Sequence, residues 1–340
     1  MIKVGINGFG RIGRAVFKIL GNKKDFHVSQ INDIDPDVAN LTYLLKYDTL
    51  YGRYNKNVKS KGENIIIDNL ETSFMNYENV EDVPWDSDIN LIVESSGVAK
   101  NIDGSRKLIK ECKINKSIIT HSPSNVDSTI IIGANENEYN PKTDNLVSSS
   151  ICDATAIAPV LSFFQNNFNI IKCFFTTLHP WLGYQNLLDS TLRSVSSPGH
   201  YWSDYALGRN STENLIPKNT TAAEAVLKVL PSLKGNLEAL SFRIPTAIVS
   251  ASDITLVLDE KIDIVNIKDL LKDYSKENYF IHYNEQSLVS SDYKQTEYSC
   301  IIDGQWIKVN DNIVKLILWY DNEWGYSNRV CDIVGLLSGN

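Results

Sequence analysis

A glycine-rich segment close to the N-terminus, residues 7–13, limits the possible folds of this chain more than any other feature. It has the sequence N-G-F-G-R-I-G, follows an apolar run at residues 2–6, and precedes apolar residues at helical spacing. Gly8 permits a tight turn, Gly10 lets a pyrophosphate approach the backbone, and Gly13 lets helix and strand pack closely. The helix N-terminus offers unpaired N–H groups to phosphates. The pattern therefore predicts a dinucleotide-binding strand–turn–helix unit.

Asp33 is the candidate ligand for the adenosine ribose. It ends the second predicted strand, twenty positions after Gly13. Its carboxylate can accept hydrogen bonds from both ribose hydroxyls and repels a 2′-phosphate, which favours NAD over NADP. The alternative is a turn or cap within the acidic stretch 33–37, where Asp35 or Asp37 is the better candidate for capping the following helix.

The chain changes character near residue 150. Before it, short apolar runs alternate with helical patterns, which predicts βαβ units and a mainly parallel sheet. Beyond it, a helix at 154–168 and longer strands indicate a second domain with an antiparallel or mixed sheet. The polar stretch 190–220 is predicted to be one long loop. The predicted strands are residues 2–6, 27–31, 64–67, 90–94, 117–120, 129–132, 170–179, 240–248, 253–258 and 313–319.

Composition excludes several classes of function. Among 340 residues, 33 Lys and Arg face 41 Asp and Glu, and this acidic balance argues against nucleic-acid binding. No apolar run reaches the roughly 18 residues of a membrane span. The N-terminus lacks a signal-peptide pattern. The five cysteines form no C-x-x-C pair, so neither a metal site nor a disulfide framework is indicated. We expect a cytoplasmic protein with at least one free thiol.

One thiol and one imidazole suggest a chemistry. Cys152 directly precedes a predicted helix, whose dipole favours the thiolate. The alternative for a lone cysteine is a small buried hydrophobe, which suits Cys112, Cys173, Cys300 and Cys331 better. His179 ends an apolar strand, where its imidazole can take a proton from a thiol. The alternative is a buried core histidine whose ring nitrogens are hydrogen-bonded within the protein. With a dinucleotide fold, such a pair suggests thiolate addition to an aldehyde, hydride transfer to nicotinamide and a thioester.

Longer segments resemble the glyceraldehyde-3-phosphate dehydrogenase family, including its erythrose-4-phosphate dehydrogenase branch. The likeness runs nearly end to end, and the chain is identified as a divergent member. The segments are residues 6–14, 31–33, 47–49, 94–98, 158–160, 214–217, 242–245 and, as the most specific, W-Y-D-N-E-W-G-Y-S-N-R-V at 319–330.

The resemblance implies an α/β fold in two domains and an activity. A Rossmann NAD-binding domain at 1–151, completed by a C-terminal helix at about 329–340, would join an α+β catalytic domain at 152–328 with a largely antiparallel sheet. Cys152 would be the nucleophile and His179 its base in the NAD-dependent oxidation of a phosphorylated triose or related sugar aldehyde, within a homotetramer. The implied cofactor-binding residues are Asn7, Gly8, Phe9, Gly10, Arg11, Ile12, Gly13, Asp33, Ser96, Gly97, Asn322, which would hold the nicotinamide carboxamide, and Tyr326.

The anion sites implied by the resemblance are partly altered. Arg209, Thr220 and Arg243 match anion-binding positions. The family surrounds its cysteine with S-C-T-T-N, whereas this chain has I-C-D-A-T at residues 151–155, so both flanking hydroxyls are absent. Asp153 places a carboxylate beside the expected anion, where it opposes thiolate formation while stabilising the helix start.

Three functions stay open on these residues. The first is a phosphorylating dehydrogenase, and the second is a variant enzyme with another aldehyde or with hydrolytic release, in which Asp153 orients a water. The third is an NAD-binding structural or regulatory relative, motivated by several losses at the anion sites. Among them, Leu182 and Tyr184 stand where the family has a threonine and an aspartate at the substrate's phosphate site. The segment 191–207 is longer than usual and carries aromatic residues that would shape a larger pocket or pack at a subunit interface.

Overall fold

The computed structural model describes residues 1–191 and 204–339. It divides into two compact units, of which the first comprises Met1–Ile151 with the segment from Tyr326 onward and the second comprises Cys152–Gly325. Among the described residues, no helix combines the length and apolar character that crossing a bilayer requires.

The first unit alternates strands with helices. Its helices are α1 (Arg11–Leu20), α2 (Val38–Lys46) and α3 (Lys100–Lys110). Its strands are β1 (Ile2–Asn7), β2 (Phe26–Asn32), β3 (Tyr47–Asp48), β4 (Gly52–Arg53), β5 (Val58–Lys61), β6 (Asn64–Ile67), β7 (Leu70–Met75), β8 (Leu91–Glu94), β9 (Lys116–Ile119), β10 (Ser128–Thr129) and β11 (Leu146–Ser148).

Nine of these strands form one sheet in the order β10-β11-β9-β8-β1-β2-β7-β6-β5. All neighbours from β10 to β7 are parallel, and only β5–β6 and β6–β7 are antiparallel. The mainly parallel sheet is thus confirmed. Strand β1 lies between β2 and β8, so the strand order reverses beside it, and ligands of such folds bind at the carboxyl ends at this point.

The second unit contains a mixed sheet with helices. Its helices are α4 (Cys152–Phe168), α5 (Ala222–Leu227) and α6 (Ile264–Glu277). Its strands are β12 (Ile170–Pro180), β13 (Ile216–Lys218), β14 (Leu237–Ile244), β15 (Ser250–Leu258), β16 (Ile281–Asn284), β17 (Cys300–Asp303), β18 (Lys308–Asn310) and β19 (Ile313–Tyr320). The order is β13-β14-β12-β15-β19-β17-β16, with β18 beside β19. Only β12–β14 and β16–β17 are parallel, which confirms the largely antiparallel sheet.

Several predicted boundaries were wrong for local reasons. The strand predicted at 240–248 ends at Ile244, since Pro245 has no N–H for the ladder. The strand predicted at 129–132 ends at Thr129, and the carbonyl of Ile131 instead accepts a turn hydrogen bond from Ala134. The stretch 190–220 is not one loop, because it contains a 3₁₀ turn (Tyr205–Gly208) and β13. Most of the long segment 191–207 lies outside the described residues.

The C-terminal helix α7 (Trp324–Leu337) starts five residues earlier than predicted. The carboxylate of Asp321 accepts hydrogen bonds from the N–H groups of Glu323 and Trp324 at 3.0 and 2.7 Å, which begins the helix there. The Cys331 thiol donates to the carbonyl of Val16 at 3.8 Å. From Tyr326 onward this helix therefore packs within the first unit.

Candidate active site

Three polar side chains lie side by side where parallel strands of the first unit end. In the register of the sheet, Asn7 of β1 pairs with Asn32 of β2 and with Glu94 of β8. The Asn32 side-chain amide donates to Asn7 Oδ1 at 2.7 Å, and the Asn7 amide donates to Glu94. This buried chain of hydrogen bonds fixes the strand ends beside which a cleft of about 250 Å³ opens.

The glycines of the loop after β1 meet different steric demands. Gly8 has φ +87°, and a Cβ on it would lie 2.5 Å from the backbone of Ser96. A Cβ on Gly13 would lie 2.1 Å from the carbonyl oxygen of Gly8. Around Gly10, by contrast, no atom of the described residues other than its own chain neighbours lies within 4 Å of a Cβ position. Two glycines thus allow close packing, while the third leaves the backbone open to a ligand.

The start of α1 and the carboxylate of Asp33 face this loop. Gly10 is the N-cap of α1, and as a glycine it has no side chain to cap the helix, so the helix start can present N–H groups to an anion. The N–H groups of Phe9 and Asp35 donate to Asp33 at 2.5 and 2.9 Å, which fixes the position of its carboxylate. The cap of α2 is Asp37, one of the two candidates that the sequence indicated.

The remaining candidate cofactor residues of the first unit are held in different ways. Ser96 donates to Glu94 through its backbone N–H and its hydroxyl, and Gly97 has φ +72° with open space around it. Arg11, which Ile12 follows in the first turn of α1, forms an ion pair with Asp48 at 2.6 Å. The Tyr326 hydroxyl lies 2.8 Å from Ser149 Oγ and donates to the Ser150 carbonyl at 3.0 Å. The open backbone at Gly10 and Gly97, the uncapped helix and the Asp33 carboxylate fit a dinucleotide.

In the second unit, the thiol of Cys152 faces an imidazole. Cys152 is the first residue of α4 and His179 lies near the end of β12, with 3.5 Å between Sγ and Nε2. The other ring nitrogen, Nδ1, lies 2.7 Å from the Pro180 carbonyl oxygen. Because a carbonyl only accepts, Nδ1 carries the proton and Nε2 directs a lone pair at the thiol.

Asp153 lies beside this pair and is almost fully buried, with 6% of its surface exposed. Its Oδ1 accepts a hydrogen bond from the Tyr320 hydroxyl at 2.8 Å and lies 3.7 Å from Cys152 Sγ. Burial raises the pKa of the Cys152 thiol well above its ordinary value, Asp153 raises it further, and Arg243 opposes the rise. The carboxylate thus opposes thiolate formation, as the sequence predicted.

Burial, with a contribution from Arg243, lowers the pKa of His179 to about 4. A neutral imidazole therefore faces a neutral thiol at pH 7. Arg243 pairs with His179 in the β12–β14 register and is 7% exposed, yet among the described residues its guanidinium has no hydrogen-bond or ion-pair partner. The half-buried Lys218 of β13 likewise has none, and burial and Arg243 lower its pKa.

The other predicted residues of this unit are arranged as follows. Arg209 forms an exposed ion pair with Asp189 at 2.8 Å, and the Thr220 hydroxyl accepts from the backbone N–H at the start of α5. Asn322 accepts from the Val249 N–H at 3.1 Å, which leaves its side-chain NH₂ without a partner among the described residues and suited to an amide oxygen. Tyr184 packs against a small apolar cluster.

The ligand atoms of Cys152, Asp153 and His179 lie within 4.8 Å of one another, close enough to share a metal ion. The positive charge of Arg243 acts on Cys152 and His179, and that of Lys218 acts on His179. These two positive charges oppose the binding of a cation at this position.

Sequence comparisons cover almost the whole chain. Two sequence models match, described as the NAD binding domain of glyceraldehyde 3-phosphate dehydrogenase over residues 2–102 and its C-terminal domain over 151–322. The chain is 37% identical to glyceraldehyde-3-phosphate dehydrogenase of Wickerhamomyces ciferrii, across 98% of this chain and 97% of the relative. It is 36% identical to glyceraldehyde-3-phosphate dehydrogenase 1 of Kluyveromyces lactis, across 98% and 99%. The testis-specific enzyme of Mus musculus is 36% identical, across 98% of this chain and 74% of the relative.

The chain belongs to the glyceraldehyde-3-phosphate dehydrogenase family. Membership confirms the resemblance seen in its motifs, the Rossmann-type domain followed by a catalytic domain, and NAD as the cofactor of an oxidoreductase. The comparisons do not favour an inactive relative or a hydrolytic variant.

Sequence reasoning missed three residues of these sites, namely Glu94, Lys218 and Tyr320. Tyr320 had a readable signal, since alternate residues of β19 are buried and Tyr320 continues that series. Glu94 ends an otherwise apolar, fully buried strand, which marks it as an unusual carboxylate. Lys218 had no local signal, because only strand pairing brings it beside Arg243.

Proposed function

We propose that this chain oxidises glyceraldehyde 3-phosphate to an acyl phosphate, with NAD as cofactor and through a thioester on Cys152. One observation carries the proposal: the lone pair of His179 Nε2 faces Cys152 Sγ at 3.5 Å. The relatives named above support this substrate, because the chain matches two of them over nearly their full lengths.

The first step is addition of sulfur to the aldehyde. His179 Nε2 takes the thiol proton as Sγ bonds to the carbonyl carbon, and the π pair of C=O moves to oxygen, which receives that proton and completes a thiohemiacetal. Since the pKa of Cys152 is raised and that of His179 lowered, the proton leaves sulfur only as the carbon–sulfur bond forms.

The second step oxidises the adduct. When bound, NAD supplies the acceptor for a hydride, so the carbon bonded to sulfur reaches the level of a thioester. His179 Nε2 takes the hydroxyl proton as the carbonyl forms again. We assign cofactor binding to the glycine loop, Asp33, Ser96 and Gly97 and to the unpartnered NH₂ of Asn322, with Tyr326 holding the backbone near Ser150.

The third step releases the acyl group. An oxygen of inorganic phosphate, HPO₄²⁻, bonds to the thioester carbon and the carbon–sulfur bond breaks. Sγ leaves with the electron pair and takes the proton that His179 Nε2 received in the second step, while the proton of the attacking phosphate passes to solvent, so Cys152 and His179 are both neutral again. We assign anion binding to Arg243, whose guanidinium has no protein partner among the described residues, and to Arg209 and Thr220.

The proposal extends to organisation and location. Residues 1–151 with the C-terminal helix would bind NAD, residues 152–328 would carry the chemistry, and four copies would form a homotetramer in the cytoplasm. Family membership supports these statements. Light scattering on the purified protein measures the oligomeric state.

A cysteine substitution tests the proposal. Cys152→Ser should abolish NADH formation from glyceraldehyde 3-phosphate and leave NAD affinity unchanged, because the glycine loop is untouched. The matched control is Cys173→Ser, a change at a buried thiol of β12 outside the proposed site. Unchanged turnover in Cys152→Ser would refute the proposal, and a carboxylate product formed without inorganic phosphate would indicate hydrolysis.

A further inference from the structure

Lys218 shares one face of the second sheet with two residues already placed at the site. Lys218 pairs with Ser241 across β13 and β14, and His179 pairs with Arg243 across β12 and β14. Paired residues, and residues two apart along a strand, lie on the same side of a sheet. A hydrogen bond of 2.8 Å from Thr177 to Ser241 lies on this face too. Lys218 is therefore the diagonal neighbour of Arg243 on this face, and Arg243 in turn lies directly beside His179.

The structure gives neither of these two cations a partner within residues 1–191 and 204–339. Among the described residues, neither Lys218 nor Arg243 makes a side-chain hydrogen bond or an ion pair, although both are at least partly buried. Like charges held together away from water are unfavourable unless an anion joins them. The charge of the Asp153 carboxylate acts on both Lys218 and His179. Among the ion pairs of the described residues, none joins Asp153 to Lys218 or to Arg243.

Lys218 determines the sign of the net charge on this face of the sheet. Arg243 contributes one positive charge and Asp153 one negative charge, so without Lys218 these side chains would sum to zero. With Lys218 the face carries a net positive charge and can attract an anion despite Asp153. The flanking hydroxyls expected beside Cys152 are missing from this chain, and an ammonium is a strong replacement for them as a phosphate ligand.

We infer that Lys218 is a phosphate-binding residue, whose ammonium acts with the guanidinium of Arg243 to hold a phosphate group near Cys152 and offsets the charge of Asp153. The inference rests on the proposed function for its substrate. The phosphate comes from one of two sources, either the inorganic phosphate that attacks the thioester or the phosphate ester of the aldehyde. Inorganic phosphate and the phosphate ester both present a doubly charged group of oxygen atoms, so both suit the same two cations.

Steady-state kinetics distinguish the two sources. Lys218→Met should raise the KM for inorganic phosphate or for glyceraldehyde 3-phosphate roughly 10- to 100-fold, the loss of affinity expected for one charge-assisted hydrogen bond. Lys218→Arg keeps the positive charge and should bring that KM back close to the wild-type value. A higher KM for inorganic phosphate alone identifies the attacking phosphate. A higher KM for glyceraldehyde 3-phosphate, with unphosphorylated glyceraldehyde unaffected, identifies the ester. Lys308→Met removes the same charge from an exposed position of β18 and should change neither.

Ligand-dependent stability tests Lys218 without turnover. At constant ionic strength, inorganic phosphate or glycerol 3-phosphate should raise the Tm of the wild type and of Lys308→Met but not of Lys218→Met. If Lys218→Met keeps both KM values and is stabilised like the wild type, the inference is wrong. If the wild type oxidises no aldehyde, the proposed function fails, while the Tm series still decides whether Lys218 binds phosphate.

Discussion

Replacing Asp153 by asparagine should make the Cys152 thiol more acidic. The carboxylate oxygen lies 3.7 Å from Sγ, and two unit charges near 4 Å repel by about 4 kcal/mol at an effective dielectric constant of 20. The Tyr320 hydroxyl and the charge of Lys218 already offset part of this repulsion. The pKa of the Cys152 thiol should nevertheless fall in Asp153→Asn, because Asp153 is one of the two causes that raise it most. The amide oxygen of asparagine can still accept from Tyr320, which preserves the local packing.

The rate of alkylation of Cys152 by iodoacetamide, followed by mass spectrometry as a function of pH up to the alkaline limit of the folded protein, compares the thiol pKa of the variants. Cys152→Ser gives the background from the other thiols. Asp269→Asn removes a carboxylate from an exposed position of α6 and should reproduce the wild-type profile. The rate in Asp153→Asn should rise at lower pH than in the wild type, and a rise at the same or higher pH would refute the electrostatic reasoning.

Three further predictions concern the first unit. Gly13→Ala should lower NAD affinity at least about tenfold and cost about 1–3 kcal/mol of stability, because its Cβ meets the Gly8 carbonyl oxygen at 2.1 Å; Gly335→Ala, in open space on α7, is the control for NAD titration and urea unfolding. Asp33→Ser should raise kcat/KM for NADP relative to NAD, and an unchanged ratio would argue against ribose binding. Burial raises the pKa of Glu94 from 4.5 to about 7, so ionisation should remove about 3 kcal/mol of stability as pH rises from about 4.5 through 7. Urea unfolding of Glu94→Gln at pH 5 and 8 should lack that loss, and a loss equal to that of the wild type would contradict the assignment.

The cofactor loop was predictable because its determinants are local. Gly8, Gly10 and Gly13 lie between an apolar run and a helical pattern, and each glycine has a local reason: Gly8 has a positive φ, Gly10 leaves the backbone open, and Gly13 has no room for a Cβ. The same holds for Asp37, whose cap satisfies N–H groups two and three residues away. The pairing of Cys152 with His179 was suggested by one helix start and one strand end, although the 3.5 Å separation depends on the fold.

The charges around the thiol could not be predicted in the same way. Lys218 follows a proline in a polar stretch that has no local sequence signal for a binding residue. It lies near Arg243 only because β13 pairs with β14 in one particular register. Tyr320 contacts Asp153 across 167 residues of sequence. Propensity and periodicity describe neighbours along the chain, whereas these contacts depend on which strands lie next to one another.

The last helix makes the first unit a discontinuous domain, with consequences for biosynthesis. The hydrogen bond from Cys331 to Val16 spans 315 residues, so the N-terminal sheet leaves the ribosome long before its closing helix exists. Contacts of such separation form slowly. Until then the apolar surface that Val330, Ile333 and Val334 bury stays open to chaperones or to aggregation. Deletion of the last fifteen residues should therefore harm solubility during expression more than it disturbs the thiol chemistry of the completed second unit.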